Sequence, residues 1–174
     1  MTFPPRPAFL GLAALTLVTD QVTKSYATAH LAPVGSVPIL PGLLDLTYVR
    51  NQGAVFGLLR DVPAPWRGLI LTLVPLLAIG LVLMLARGLA PGHRRARASL
   101  ALVLGGALGN LIDRIRLGWV VDFVDLHVAG WHWPAFNVAD SAICVGVALL
   151  ALDLGRPARD PGSEARARHA SDPV

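Results

Sequence analysis

Gly105-Gly106-Ala107-Leu108-Gly109-Asn110-Leu111-Ile112-Asp113-Arg114 is the stretch on which the fold turns. It opens as an apolar, glycine-rich segment and closes on an amide, a carboxylate and a guanidinium. Polar groups at the edge of an apolar segment each carry a desolvation cost unless they are paired or used. The glycines at 105, 106 and 109 allow another backbone to come close, so helix packing is their main expected role. Working outward, Asp122 lies just beyond this stretch. Further on, Phe136-Asn137-Val138-Ala139-Asp140 reverses the pattern, with polar residues at the start of an apolar run.

Composition sets the class. The chain has 174 residues, is 54% hydrophobic and 15% charged, and has a mean hydropathy of +0.58. An average soluble domain is roughly 25% charged, so the expected class is a membrane protein. The net charge of +4 does not point to nucleic acid, because the basic residues cluster between apolar blocks instead of alternating with exposed aromatics. The single cysteine, Cys144, sits in an apolar run and is expected to be a small core residue. His30, His93, His132 and His169 fall far apart with no metal-ligand spacing, so neither a metal nor another cofactor is expected. Asp125 and His127 read as surface groups.

Four apolar segments organise the chain, at about 9–26, 68–86, 98–115 and 135–154. The first could be a secretory signal, since Ala27-Thr28-Ala29 resembles a cleavage site. The n-region holds only Arg6, however, and the run continues into Asp20-Gln21 and Lys24, so a retained span is the better reading. Pro75 is expected to kink the second span without breaking it. Between the first two spans, about 30–60, turn residues surround the alternating Leu44-Asp45-Leu46-Thr47-Tyr48-Val49, which predicts a small external β element. Gly53-Ala54-Val55-Phe56-Gly57-Leu58-Leu59 is apolar but too short to cross and is expected to rest on the membrane or cap a cleft. Residues 117–134 read as a short second external connection whose three tryptophans favour interface depth. Residues 1–155 thus form one membrane domain, and 156–174 read as a disordered tail.

Basic residues orient the spans. Arg6, Arg87, Arg94, Arg95, Arg97 and the tail arginines fall on one side, at higher density than Arg50, Arg60, Arg67, Arg114 and Arg116 on the other. The positive-inside rule then puts both termini in the cytoplasm. In that topology Asp20, Lys24, Asn51, Asn110, Asp113, Arg114, Asp122, Asn137 and Asp140 all converge on the outer side.

Two carboxylates close together in a partly dry site cannot both ionise cheaply. One can take a proton from water while the other hydrogen-bonds or protonates a carbonyl oxygen, which is what amide hydrolysis without a metal requires. Asp122 and Asp140 are the chosen pair, because Asp20 has Lys24 at i,i+4 and Asp113 is expected to be neutralised by Arg114 or another nearby cation. Each choice has an ordinary rival: Asp140 could only start a helix, Asp122 could be a solvated loop acid, and Asn51, Asn110 and Asn137 could be caps or turns. Two other functions compete. A small carrier or channel binding a proton or cation would place acids deep in the spans. A structural subunit would use its acids only to pair with Arg114, Arg116 and Lys24.

The chain resembles the bacterial lipoprotein signal peptidases (signal peptidase II), aspartic peptidases of the inner membrane. The resemblance rests on Asp20-Gln21-x-x-Lys24, Asn51-Gln-Gly-Ala-Val-Phe-Gly57, Gly105 to Arg114, Val120-Val-Asp-Phe123 and Phe136-Asn-Val-Ala-Asp140, in that order. Val55 departs from the small residue common at its position. The resemblance implies four transmembrane helices with an extracytoplasmic β cradle. It places the catalytic aspartates on Asp122 and Asp140, and substrate-binding or dyad-supporting roles on Asp20, Asn51, Gly106, Asn110, Asp113, Arg114, Val120, Phe136, Asn137 and Ala139. It implies cleavage of diacylated prolipoproteins on the amino side of the lipidated cysteine, at the outer leaflet among membrane lipids, and inhibition by globomycin-type antibiotics. The glycines of the third span are expected to leave room for the substrate's signal helix.

Overall fold

The computed structural model describes residues 7–53, 61–90 and 92–154. The expected surface segment after Gly53 and the expected tail at 156–174 lie outside them. Four helices and a four-stranded antiparallel sheet make up the fold: α1 (Pro7–His30), β1 (Ser36–Leu40), β2 (Leu44–Asn51), α2 (Ala64–Gly88), α3 (Arg94–Leu117), β3 (Val120–Val128), β4 (Trp131–His132) and α4 (Val138–Leu154). The protein is mostly helical, as the apolar runs predict. α1 continues unbroken through Ala27-Thr28-Ala29, and α2 continues through Pro75.

α3 is the central helix, packed against α1, α2 and α4, whereas α2 touches α3 alone among the named elements. Its glycines explain the arrangement. A methyl group at Gly105 would stand 2.6 Å from the Ala13 carbonyl oxygen of α1, and one at Gly106 would stand 2.5 Å from the Ala139 carbonyl oxygen of α4. A side chain at Gly109 would run into the Asp20 carboxylate. On α4, Gly146 admits the Ser99 carbonyl of α3 in the same way. The notches are therefore filled by the protein's own helices, which corrects the expectation that they leave room for a substrate helix. Phe9, Ala13, Val82, Leu100, Ala101 and Leu104 close the apolar core below them.

This packing carries a prediction. Gly106→Ala meets backbone that cannot rotate away, so it should lower stability by about 1–3 kcal/mol. Gly80→Ala, where nothing lies within 4 Å, should be neutral or slightly stabilising. Thermal unfolding of the two variants in detergent checks this, and equal midpoints would show that α3 and α4 have slack.

The sheet departs from the sequence reading. The β element was expected wholly between α1 and α2, but β3 and β4 come from the connection between α3 and α4. β3 pairs with β2 in a register that sets Asn51 opposite Val120 and Val49 opposite Asp122. The local reading missed it because the partner of Val120-Val-Asp-Phe123 lies some seventy residues earlier, and a strand's pairing is a long-range property. Left-handed residues make the corners: Gly118 (φ 84°) ends α3 with its N–H on the Arg114 carbonyl, and Ala129 (φ 50°) with Gly130 (φ 82°) forms the tight β3–β4 turn.

Among the described residues, two helices are long and apolar enough to cross a membrane, Pro65–Gly88 and Arg94–Leu117, with mean hydropathy 2.8 and 1.3. Only 6% of the most apolar window of α2 is buried by protein, and Leu77 is 74% exposed. An apolar helix left bare by its own chain needs an apolar solvent. α1 and α4 also expose large apolar side chains, Leu15, Val18, Val147 and Leu152 among them. Cys144 on α4 is exposed, not buried in the core as expected, because the inward face of that helix is given to α3.

Candidate active site

The end of the bundle nearest the sheet holds a buried ionic layer. On α1, Asp20 and Lys24 fall one turn apart on the same face, and α3 brings Asn110 and Asp113 to meet them. The Lys24 Nζ lies 2.9 Å from Asp20 Oδ2, 3.1 Å from Asp113 Oδ2 and 2.8 Å from Asn110 Oδ1. All three charged side chains are nearly inaccessible. Asp113 thus makes its ion pair with the other nearby cation, Lys24, which it shares with Asp20, and not with its neighbour Arg114. The remaining lone pairs are also used, as buried charges require: Val121 N–H donates to Asp113 Oδ2 at 3.1 Å, and Ala139 N–H donates to Asp20 Oδ1 at 2.9 Å. This layer therefore ties α1, α3, β3 and the start of α4 into one unit.

Gln21 completes the layer, and sequence reasoning left it out of the candidate residues. Its Nε2 donates to Asp20, Asp113 and the Gly109 carbonyl at 3.0–3.2 Å. The available signal was an amide inside an apolar run, directly beside Asp20.

Asp122 and Asp140 stand against this layer, on separate elements. Asp122 projects from β3 and is 1% exposed. Asn51 Nδ2 donates to its Oδ2 at 2.8 Å, and Asn137 Nδ2 donates to its Oδ1 at 2.7 Å. Asp140 lies in the first turn of α4. Its amide N–H donates to Asn137 Oδ1 at 2.9 Å, and Asn137 N–H donates to Asp140 Oδ2 at 3.3 Å, the reciprocal pattern of a capping box. Asp140 Oδ1 meanwhile accepts from Asn110 Nδ2 at 2.7 Å. The ordinary reading of Asp140 as a helix-start residue is realised through Oδ2, while Oδ1 joins the amide of Asn110 on α3. Asn137, fully buried, bonds both acids and so holds them in one network.

Asp122 feels the charge of Asp140. Burial, first, and the charge of Asp140, second, push Asp122 up to about 7, against the hydrogen bonds from Asn51 and Asn137 that favour its charged form. Such a group gains or loses its proton near neutrality, which suits acid–base work.

The other expected residues lie around the two acids. Val120, 2% exposed, is the ladder partner of Asn51 and sets that amide beside Asp122. The Phe136 carbonyl accepts from Phe123 and Val124 N–H, fixing the chain as it enters α4. Ala139 is fully buried between Asp20 and Gly106, where a longer side chain has no room. Arg114 Nη1 donates to the Leu71 carbonyl at 3.0 Å, linking α3 to α2, and its charge acts on Asp140, Asp122 and Asp113. Beside it a cavity of ≈ 220 Å³ is lined by Asn51, Gln52, Arg67, Leu71, Thr72 and Arg114. Asp125 and His127, read as surface groups, sit on the sheet with partners: His132 for Asp125 at 2.9 Å and Asp45 for His127 at 3.3 Å.

Comparison with known proteins follows the same outline. The family model described as signal peptidase (SPase) II matches residues 12–156. The lipoprotein signal peptidase of Geobacter sulfurreducens is 49% identical over 156 residues, covering 90% of this chain and 96% of that one. That of Syntrophus aciditrophicus is 45% identical over 150 residues, covering 86% and 93%. Two solved bacterial membrane enzymes are similar in structure. One has TM-score 0.74 and 28% identity, covering 88% of this chain and 92% of its own. The other has TM-score 0.76 and 27% identity, covering 86% and 93%.

Proposed function

Because the chain belongs to the signal peptidase II family and is a bacterial membrane protein and an aspartic peptidase, we propose that Asp122 and Asp140 are its catalytic pair. The substrate is a prolipoprotein whose cysteine carries a diacylglyceryl group, cut on the amino side of that cysteine. The observation that supports the pair best is Asn137, which hydrogen-bonds both acids, whereas Asp20 and Asp113 share the ion pair with Lys24. Asp20, Lys24, Gly106, Asn110, Asp113, Val120, Phe136, Asn137 and Ala139 brace the pair. Asn51 and Arg114, which line the cavity, meet substrate.

The reaction follows from two acids sharing one proton. Asp140, as carboxylate, removes a proton from water as the oxygen attacks the scissile carbonyl carbon. Asp122 gives its proton to the carbonyl oxygen, forming a neutral tetrahedral diol. The proton gained by Asp140 then passes to the leaving nitrogen, the C–N bond breaks, and Asp122 takes back the hydroxyl proton as the new carboxyl group forms.

All four helices cross the bilayer, with both termini cytoplasmic and the sheet and acid pair at the outer leaflet of the inner membrane. The acid pair, the ionic layer and the sheet all gather at one end of the bundle, which supports that orientation. A diacylated cysteine keeps its chains in that leaflet, so a pair at that depth reaches the bond without lifting lipid out. Cleavage of a diacylated prolipoprotein peptide by the purified protein, blocked by a globomycin-type inhibitor, tests the reading. A folded protein that leaves the peptide intact would overturn it.

The pH dependence has a definite sign. Asp122 must hold a proton at the start, so kcat/KM should fall as pH rises through about 7. The raised value also means that between about 4 and 7 the folded state keeps a proton that the unfolded state releases, and stability falls with rising pH in that window. Asp122→Asn removes this contribution, so its thermal midpoint should gain on the parent protein from pH 4 to 7. A constant difference would show that Asp122 is ionised throughout.

A further inference from the structure

Beside the sheet lies a second hollow, of ≈ 420 Å³, lined by Thr47 and Val49 of β2, Asp125 of β3, and Trp131, His132 and Trp133 around β4. Its size falls within the roughly 300–1,000 Å³ of ligand sites. One wall includes the strand residue paired with Asp122. Val49 is the ladder partner of Asp122, so the two side chains leave the sheet on the same face, and Asn51, two residues along the strand, bonds Asp122. The other wall is aromatic: Trp131 is 61% and Trp133 47% exposed, with rings edge to face at 5.9 Å. Two large rings held this way by a tight hairpin offer contact area at small entropic cost.

Resting on the assignment of the acid pair, we propose that this groove binds the extended stretch of substrate that follows the lipidated cysteine, with Trp131 and Trp133 as its anchors. The substrate's three parts divide between environments. The segment before the scissile bond is an apolar helix, and the cysteine carries acyl chains, so both stay in lipid. Only the chain after the cysteine has to leave the bilayer, and it does so across the strand that bears Asp122. Asp125 of that strand lines the groove, and Val49 on the facing strand lines it too and pairs with Asp122.

The test compares two diacylated peptides, one ending directly after the cysteine and one continuing about six residues, or ~20 Å of extended chain. The protein should show a KM about tenfold lower for the longer peptide, with kcat similar. The double substitution Trp131→Ala with Trp133→Ala should bring the KM ratio to about one. Thr47→Trp, which fills the groove from the opposite wall, should do the same with both anchors intact, so a folding defect in the first variant does not decide the matter. A ratio near one in the parent protein, or a tenfold ratio surviving both variants, overturns the proposal. So does an equal loss for both peptides that appears in bilayers and not in detergent, which would assign the tryptophans to lipid. Failure of the acid-pair assignment is read separately, from cleavage by Asp122→Asn.

Discussion

Replacing Asp122 or Asp140 by asparagine should leave a folded, inserted protein whose cleavage of a diacylated peptide falls on the order of 10²- to 10⁴-fold. Asparagine keeps the shape and one acceptor oxygen. At 140 that oxygen can still accept from the Asn137 N–H of the capping box, so α4 should start as before. At 122 one of the two amides, Asn51 or Asn137, loses its acceptor, yet a buried acid that resists ionisation is replaced by a neutral group. Loss of rate with retained thermal stability and retained inhibitor binding is the signature of removed chemistry. Cleavage by either purified variant within about tenfold of the parent rate would remove that residue from the mechanism, and unfolding of both would mean that the pair is mainly structural.

Lys24→Met should have the largest effect on stability. Methionine matches the length of the lysine stem but strips Asp20 and Asp113 of the cation they share. Breaking a buried pair by removing one partner costs about 3–5 kcal/mol, a large part of the roughly 5–15 kcal/mol that holds a domain folded. Adding Asp113→Asn to Lys24→Met should recover part of the loss, because one of the two stranded charges disappears. Asp113→Asn alone should be milder, lowering stability and raising KM more than it lowers kcat. Protease resistance and thermal midpoints in detergent rank the three proteins. A Lys24→Met protein as stable as the parent would show that the ionic layer is hydrated and not the tie between α1 and α3.

Much of this arrangement is legible in the chain alone. Apolar runs of span length, the glycines of α3 and the polar residues at the run ends are local properties, and they fix helix, packing face and the end where charge gathers. Asp122 and Asp140 stand out there because they lack the cation that Asp20 has one turn away. Sequence could not choose the partner of Asp113, since Arg114 is adjacent in the chain whereas Lys24 arrives from another helix. Nor could it find β3 as a strand, show Gln21 joined to three acceptors, or place one amide, Asn137, between both acids. Periodicity and composition determined which segments form apolar helices, because helix length and apolarity are properties of each segment by itself. The tertiary structure alone decided which polar groups meet one another, because hydrogen bonds and ion pairs act over about 3 Å and depend on how separate segments are docked.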